Sequence, residues 1–191
     1  MVMRPWLDHY DEGIPKTLEP YPRQTLVDVV DETTRMRPDH TALIFKGERI
    51  SYGELTWRSD ALAAALVEQG VKKGDRVAIL MPNCPQYVIA EFAIWKAGGI
   101  VASINPLYTE RELEHALNEC GAENVIVLTL FYNKVKAVQA KTKLKHVIAA
   151  HLSKQNNTPE MARAALAAAL SCAEDWIGVA DQAAGFGWRE I

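Results

Sequence analysis

Between residues 76 and 150 the chain alternates short runs of branched apolar residues with longer runs of helical spacing, and few folds accommodate that rhythm. The apolar runs cover 76–81, 100–104, 124–130 and 145–150. Each is short, and each is bounded by proline, glycine or polar turn residues, as strands of a buried parallel sheet are. Between them lie a run over 87–97, a run from Thr109 to Gly121, and a run over 133–141, all with helical character. Strands joined through helices imply right-handed crossovers and a parallel sheet with helices on its faces. The expected class is therefore α/β.

The local signals agree with that reading. Val88, Ile89, Phe92, Ala93, Ile94 and Trp95 make the first of these helices apolar nearly all round, which predicts deep packing. Gly98 and Gly99 stop it. Thr109 and Glu112 have capping-box spacing at the start of the next helix. Leu113, Ala116, Leu117 and Cys120 form its inner stripe, and Gly121 ends it. The strand over 100–104 is expected to be buried like its neighbours.

Upstream, residues 1–23 carry four prolines and read as an irregular lead draped over the domain. Leu26, Val29, Val30 and Thr33 then recur at helical spacing until Pro38. Two β-rich runs flank Lys46-Gly47-Glu48, which predicts a hairpin. Ser51 and Glu54 have capping-box spacing, and Leu55, Leu62, Ala65 and Leu66 line the helix that follows, as far as Gly70. Downstream of His151 the composition changes. A polar stretch leads to Pro159 and an alanine-dominated run through Cys172, helical by propensity. The domain organisation read from this is a partial subdomain over 1–151 and an atypical Ala-rich helical tail over 152–191.

Composition excludes several functions. The formal charge of −3 provides no field for nucleic acid. Three widely spaced cysteines fit neither a disulfide framework nor a Cys-rich zinc site, and point to a reducing, cytoplasmic setting. No run reaches the roughly 18 to 20 apolar residues of a membrane helix, which leaves only a peripheral membrane contact open. Glu112 and His115 share a helix face but lack a second copy, so no metal site is assigned. Lys134, Lys136, Lys141, Lys143 and Lys145 cluster without interleaved aromatic residues and read as a solvated helix and turn. Tyr87, Phe92 and Trp95 read as core. No phosphate-binding, nucleophile-elbow or zincin motif occurs, and no catalytic residue is assigned.

One turn has a different character. Asn105, Pro106, Leu107 and Tyr108 follow the carboxyl end of a strand, the edge where open parallel sheets bind ligands. Asn before Pro is also a good turn for local reasons.

Four segments taken together carry a resemblance. They are Arg4-Pro-Trp-Leu-Asp-His-Tyr-Asp-Glu-Gly-Ile-Pro15, the stretch from Leu43 through Lys46-Gly-Glu-Arg-Ile-Ser-Tyr52 to Leu55, Gly70-Val-Lys-Lys-Gly-Asp-Arg-Val-Ala-Ile-Leu-Met-Pro-Asn-Cys-Pro-Gln86, and Asn105-Pro-Leu-Tyr-Thr-Glu-Arg-Glu-Leu113. In this order they resemble the N-terminal part of bacterial long-chain fatty acid–CoA ligases, of the adenylate-forming, AMP-binding superfamily. The resemblance implies the N-terminal subdomain of that fold, with ATP, Mg2+ and coenzyme A as cofactors of the full-length family. The implied reaction runs in two steps, from fatty acid and ATP to an acyl-adenylate, and then to the thioester of coenzyme A. It also implies that the Asn105–Tyr108 turn lies near the coenzyme A channel. The family's Ser/Thr/Gly-rich phosphate loop, its aromatic-Gly-x-Thr-Glu motif and its catalytic lysine are not among these residues. The resemblance therefore implies that this stretch alone does not turn over. Two further readings stand beside it. One is an interaction module that self-associates or binds a complementary synthetase fragment. The other is a non-catalytic α/β protein that binds an acyl chain or a nucleotide.

Overall fold

The computed structural model describes residues 5–150, with the backbone alone described at Ala150. The expected Ala-rich helix and the 151/152 boundary lie outside or at the limit of these residues. The lead contains a 3-10 turn at Pro5–His9 and is otherwise irregular. Apart from the half-buried Leu7 it is exposed up to Leu26.

Helix α1 (Leu26–Met36) starts at Thr25, whose hydroxyl accepts from the Asp28 amide while the Asp28 carboxylate accepts from the Thr25 amide. The sequence reading placed Leu26 and Val29 on the inner stripe, but both are exposed. Val30 and Thr33 of the expected stripe are half-buried, together with Val27 and Thr34, and Thr34 Oγ1 meets Thr56 Oγ1 at 2.8 Å. Two overlapping apolar stripes exist on this helix, and only packing against its neighbours chooses between them.

Strands β1 (Thr41–Phe45) and β2 (Glu48–Ser51) pair antiparallel as a separate hairpin. Its two connecting residues, Lys46 at φ 51° and Gly47 at φ 86°, are both left-handed. That combination gives the strands their native twist and explains the glycine at the second position. Helix α2 (Tyr52–Glu68) follows directly, capped by Ser51. Only half of the expected capping box forms, because the Glu54 carboxylate pairs with Arg58 on the next turn.

The main sheet contains β3 (Arg76–Leu80), β4 (Ile100–Ser103), β5 (Asn124–Leu128) and β6 (His146–Ala150), all parallel, in the order β4-β3-β5-β6. They are linked by α3 (Pro85–Lys96), α4 (Glu110–Cys120) and α5 (Tyr132–Gln139). Because side chains alternate across a strand, the sheet sorts its residues between two cores. Val77 and Ile79 of β3 and Ile126 of β5 pack with α2 and α3 on one face. Ala78, Leu80, Val125 and Val127 pack with α4 and α5 on the other. The α/β expectation is met.

Two expectations about burial are corrected. The strand over 100–104 is an edge strand, and Ile100 at its start is 51 % exposed. Its apolar composition resembles that of β3, but a sheet of this order can bury only its two central members fully. Helix α3 is likewise less enclosed than its composition implies. Ile89, Ala90, Ala93 and Ile94 are buried, while Phe92 and Trp95 are half-buried and meet edge to face at 5.2 Å between centroids. Desolvation pushes the carboxyl of the half-buried Glu91 upward. Gly98 and Gly99 do stop the helix, with their amides donating to Trp95 O and Ile94 O.

Candidate functional site

Parallel strands place their carboxyl ends along one edge, and the loops leaving that edge form the crevice of such a sheet. Here β3 leads to α3 on one face, whereas β4 and β5 lead to α4 and α5 on the opposite face. The strand order changes direction at β3, so the β4–α4–β5 crossover must pass over it. The Asn105–Tyr108 turn begins that crossover.

The turn is held by its own sequence and by one distant side chain. Asn105 Oδ1 accepts from the Leu107 amide at 3.0 Å, and Asn105 O accepts from the Tyr108 amide at 3.1 Å. This is the local turn chemistry that Asn-Pro favours. Next, Thr109 caps α4, accepting from the Glu112 amide, while Glu112 Oε2 accepts from the Thr109 amide at 2.8 Å and its hydroxyl at 2.8 Å. These bonds to Thr109, with a smaller attraction from Lys134, hold the Glu112 carboxyl below its ordinary range. Glu112 is therefore committed to the cap. His115, on the same helix face, lies 3.8 Å from Glu119.

Lys134 comes from α5, 26 residues beyond Tyr108, and donates to Tyr108 O at 2.7 Å and Pro106 O at 2.9 Å. Its ammonium also lies 5.6 Å from the centroid of the Phe131 ring. The sequence reading placed Lys134 among solvated lysines, and here it is half-buried and anchors the turn. Two others of that cluster are paired at the surface, Lys141 with Glu114 at 3.7 Å and Lys145 with Glu123 at 2.8 Å. Short-range spacing carries no signal for a lysine that bridges to a loop one crossover earlier.

What the turn leaves free is Leu107, 81 % exposed, and the edge of Tyr108, 36 % exposed. Asn105 is exposed and Pro106 half-buried. The structure thus brings the four predicted residues into one ordered feature at the carboxyl edge. It presents an apolar side chain and a phenol, with both adjacent carbonyls already bound to a cation. Among the described residues no three His, Cys, Asp or Glu side chains converge as a metal ion would require. Among the described residues, too, no helix is long and apolar enough to cross a membrane.

Comparison with known proteins agrees with this architecture. The family model described as AMP-binding enzyme matches residues 30–181. A long-chain-fatty-acid–CoA ligase of Escherichia coli O6:H1 is 41% identical over 154 residues, which is 80% of this chain and 28% of the relative. A protein of the same name from Bacillus subtilis is 41% identical over 139 residues, 73% of this chain and 24% of the relative. The crystal structure of a long-chain-fatty-acid–CoA ligase from Archaeoglobus fulgidus superposes with a TM-score of 0.69 at 28% identity, covering 87% of this chain and 33% of that one. The chain thus spans about a quarter of the length of the curated relatives it matches. The matched segment covers most of the chain: this chain belongs to the AMP-binding enzyme family.

Proposed function

We propose that this chain is the amino-terminal scaffold of a long-chain fatty acid–CoA ligase. In the full-length ligase it would serve the activation of a fatty acid by ATP and the transfer of the acyl group to coenzyme A. The observation that carries this reading is the 41% identity to ligases of that name over 80% of the chain. The described residues do not fit a metal–triphosphate complex. No acidic or histidine cluster is present among them, and the Lys134 ammonium is bound to two carbonyls of the same chain. No step through ATP or Mg2+ is therefore assigned to them. In this reading the exposed Leu107 offers coenzyme A an apolar contact and Tyr108 a hydroxyl. The role of the turn is to bind and orient.

Taken alone, these 191 residues are expected not to catalyse. Holding reactants in near-attack geometry supplies on the order of 7 to 11 kcal/mol of barrier reduction, and the described residues offer no group to hold the triphosphate. The purified chain incubated with ATP, magnesium and palmitate should release pyrophosphate no faster than buffer does, and turnover would overturn this part of the reading. Conversely, exchanging residues 30–150 into the Escherichia coli relative should preserve thioester formation. A folded chimera that makes none would count against the ligase assignment. Within that chimera, Tyr108→Ala should raise KM for coenzyme A by about tenfold with kcat nearly unchanged, the signature of lost binding common to ground and transition states. An unaltered KM would remove the coenzyme A role of the turn.

A further inference from the structure

We infer that Lys134 is a positioning residue that sets the conformation of the Asn105–Tyr108 turn, so that the contact surface of the turn is governed from α5. This rests on the proposed role of the turn in binding coenzyme A. The observation behind it is geometric. The turn's own bonds, Asn105 Oδ1 to the Leu107 amide and Asn105 O to the Tyr108 amide, fix its interior but tie it to no other element. Lys134 supplies the tie. Its ammonium takes two carbonyls of the turn, Pro106 O at 2.9 Å and Tyr108 O at 2.7 Å. Bonds from a charged donor are roughly twice as strong as neutral ones.

The surroundings favour this lysine for the task. Tyr132, Val135 and Val138 are buried in the core that β3, β5 and α4 share, so α5 is anchored and the base of the Lys134 side chain is fixed with it. The Phe131 ring lies beside the ammonium, and Glu112, held by the Thr109 cap, adds negative charge nearby. The ends of the turn are thus fixed by β4 and by the α4 cap, and its middle by α5. Two exposed side chains on such a short loop can keep one orientation only if the backbone beneath them is held. The lock joins the loop after β4 to the helix after β5, the two strands that flank β3 where the strand order changes direction.

The test uses the 191-residue chain itself, 15N-labelled, as wild type, Lys134→Met and Lys134→Arg. Methionine keeps the length of the side chain and removes both the charge and the donors, whereas arginine restores both. Solvent exchange at the Leu107 and Tyr108 amides should quicken about tenfold or more in Lys134→Met. It should return close to the wild-type rate in Lys134→Arg, with the Ile79 and Leu80 amides unchanged in all three. Unchanged exchange at Leu107 and Tyr108 in Lys134→Met overturns the inference. So does an increase spread equally over Ile79 and Leu80, because the lock acts on the turn alone. Titration with coenzyme A then separates the two claims. Shifts at Leu107 and Tyr108 that weaken in Lys134→Met support both. A silent titration with the exchange pattern intact leaves the lock standing and removes the coenzyme A reading.

Discussion

Leu117→Ala is expected to destabilise the protein by about 2 to 5 kcal/mol, whereas Leu107→Ala, the same chemical change, should alter stability by less than about 0.5 kcal/mol. Leu117 is fully buried on α4, in the core formed with β3, β5 and α5, and Leu107 is 81 % exposed on the turn just before that helix. Removing the Leu117 side chain takes away its transfer free energy and leaves a cavity in the core it shares with Leu80, Val125 and Leu113. At about 2 to 4 °C per kcal/mol for a chain of this size, the buried substitution should lower the melting temperature by roughly 4 to 20 °C. Paired thermal scans check this. Equal effects of the two leucines would mean that α4 does not pack on the sheet as described.

The second large effect is expected at Gly98. This residue follows α3 at φ 82°, and a β-carbon there would stand 3.3 Å from Lys73 Cα, on the backbone of the turn before β3. The Gly98 carbonyl also accepts from the Gly74 amide at 2.9 Å, so neither strand of chain can retreat freely. Gly98→Ala therefore combines the left-handed strain of about 1 to 2 kcal/mol with overpacking of about 1 to 3 kcal/mol. Gly70 provides the comparison, because it has φ 92° with open space around it. Gly70→Ala should show the conformational part alone. Denaturant midpoints for the two variants measure the difference, and a Gly98→Ala variant no worse than Gly70→Ala would show that Lys73 does not crowd the added β-carbon.

The same comparison shows how far short-range sequence carries. Both left-handed glycines sit where the pattern predicts a helix to stop, and both do stop one. The Thr109–Glu112 cap, the Gly47 hairpin turn and the Leu113–Leu117 stripe were also legible, since each depends on residues no more than four apart. The candidate turn was legible for the same reason, as an Asn-Pro turn between a strand and a capped helix. Lys134 was not. It lies 26 residues from Tyr108, inside a run of lysines whose spacing gives it no distinction from its neighbours.

Residues 76–150 by themselves determined that the protein alternates strand and helix and so builds a parallel α/β sheet, because hydrophobic period and caps act over one or two turns of chain. Tertiary structure alone decided that β4 is an edge while β3 and β5 are central, and that Val27 rather than Leu26 turns inward on α1. It also decided that a lysine from α5 grips the turn after β4. The physical reason is common to all three. Burial and partnership depend on which elements become neighbours, and the apolar stripe of one segment fits several neighbours until the whole sheet has chosen among them.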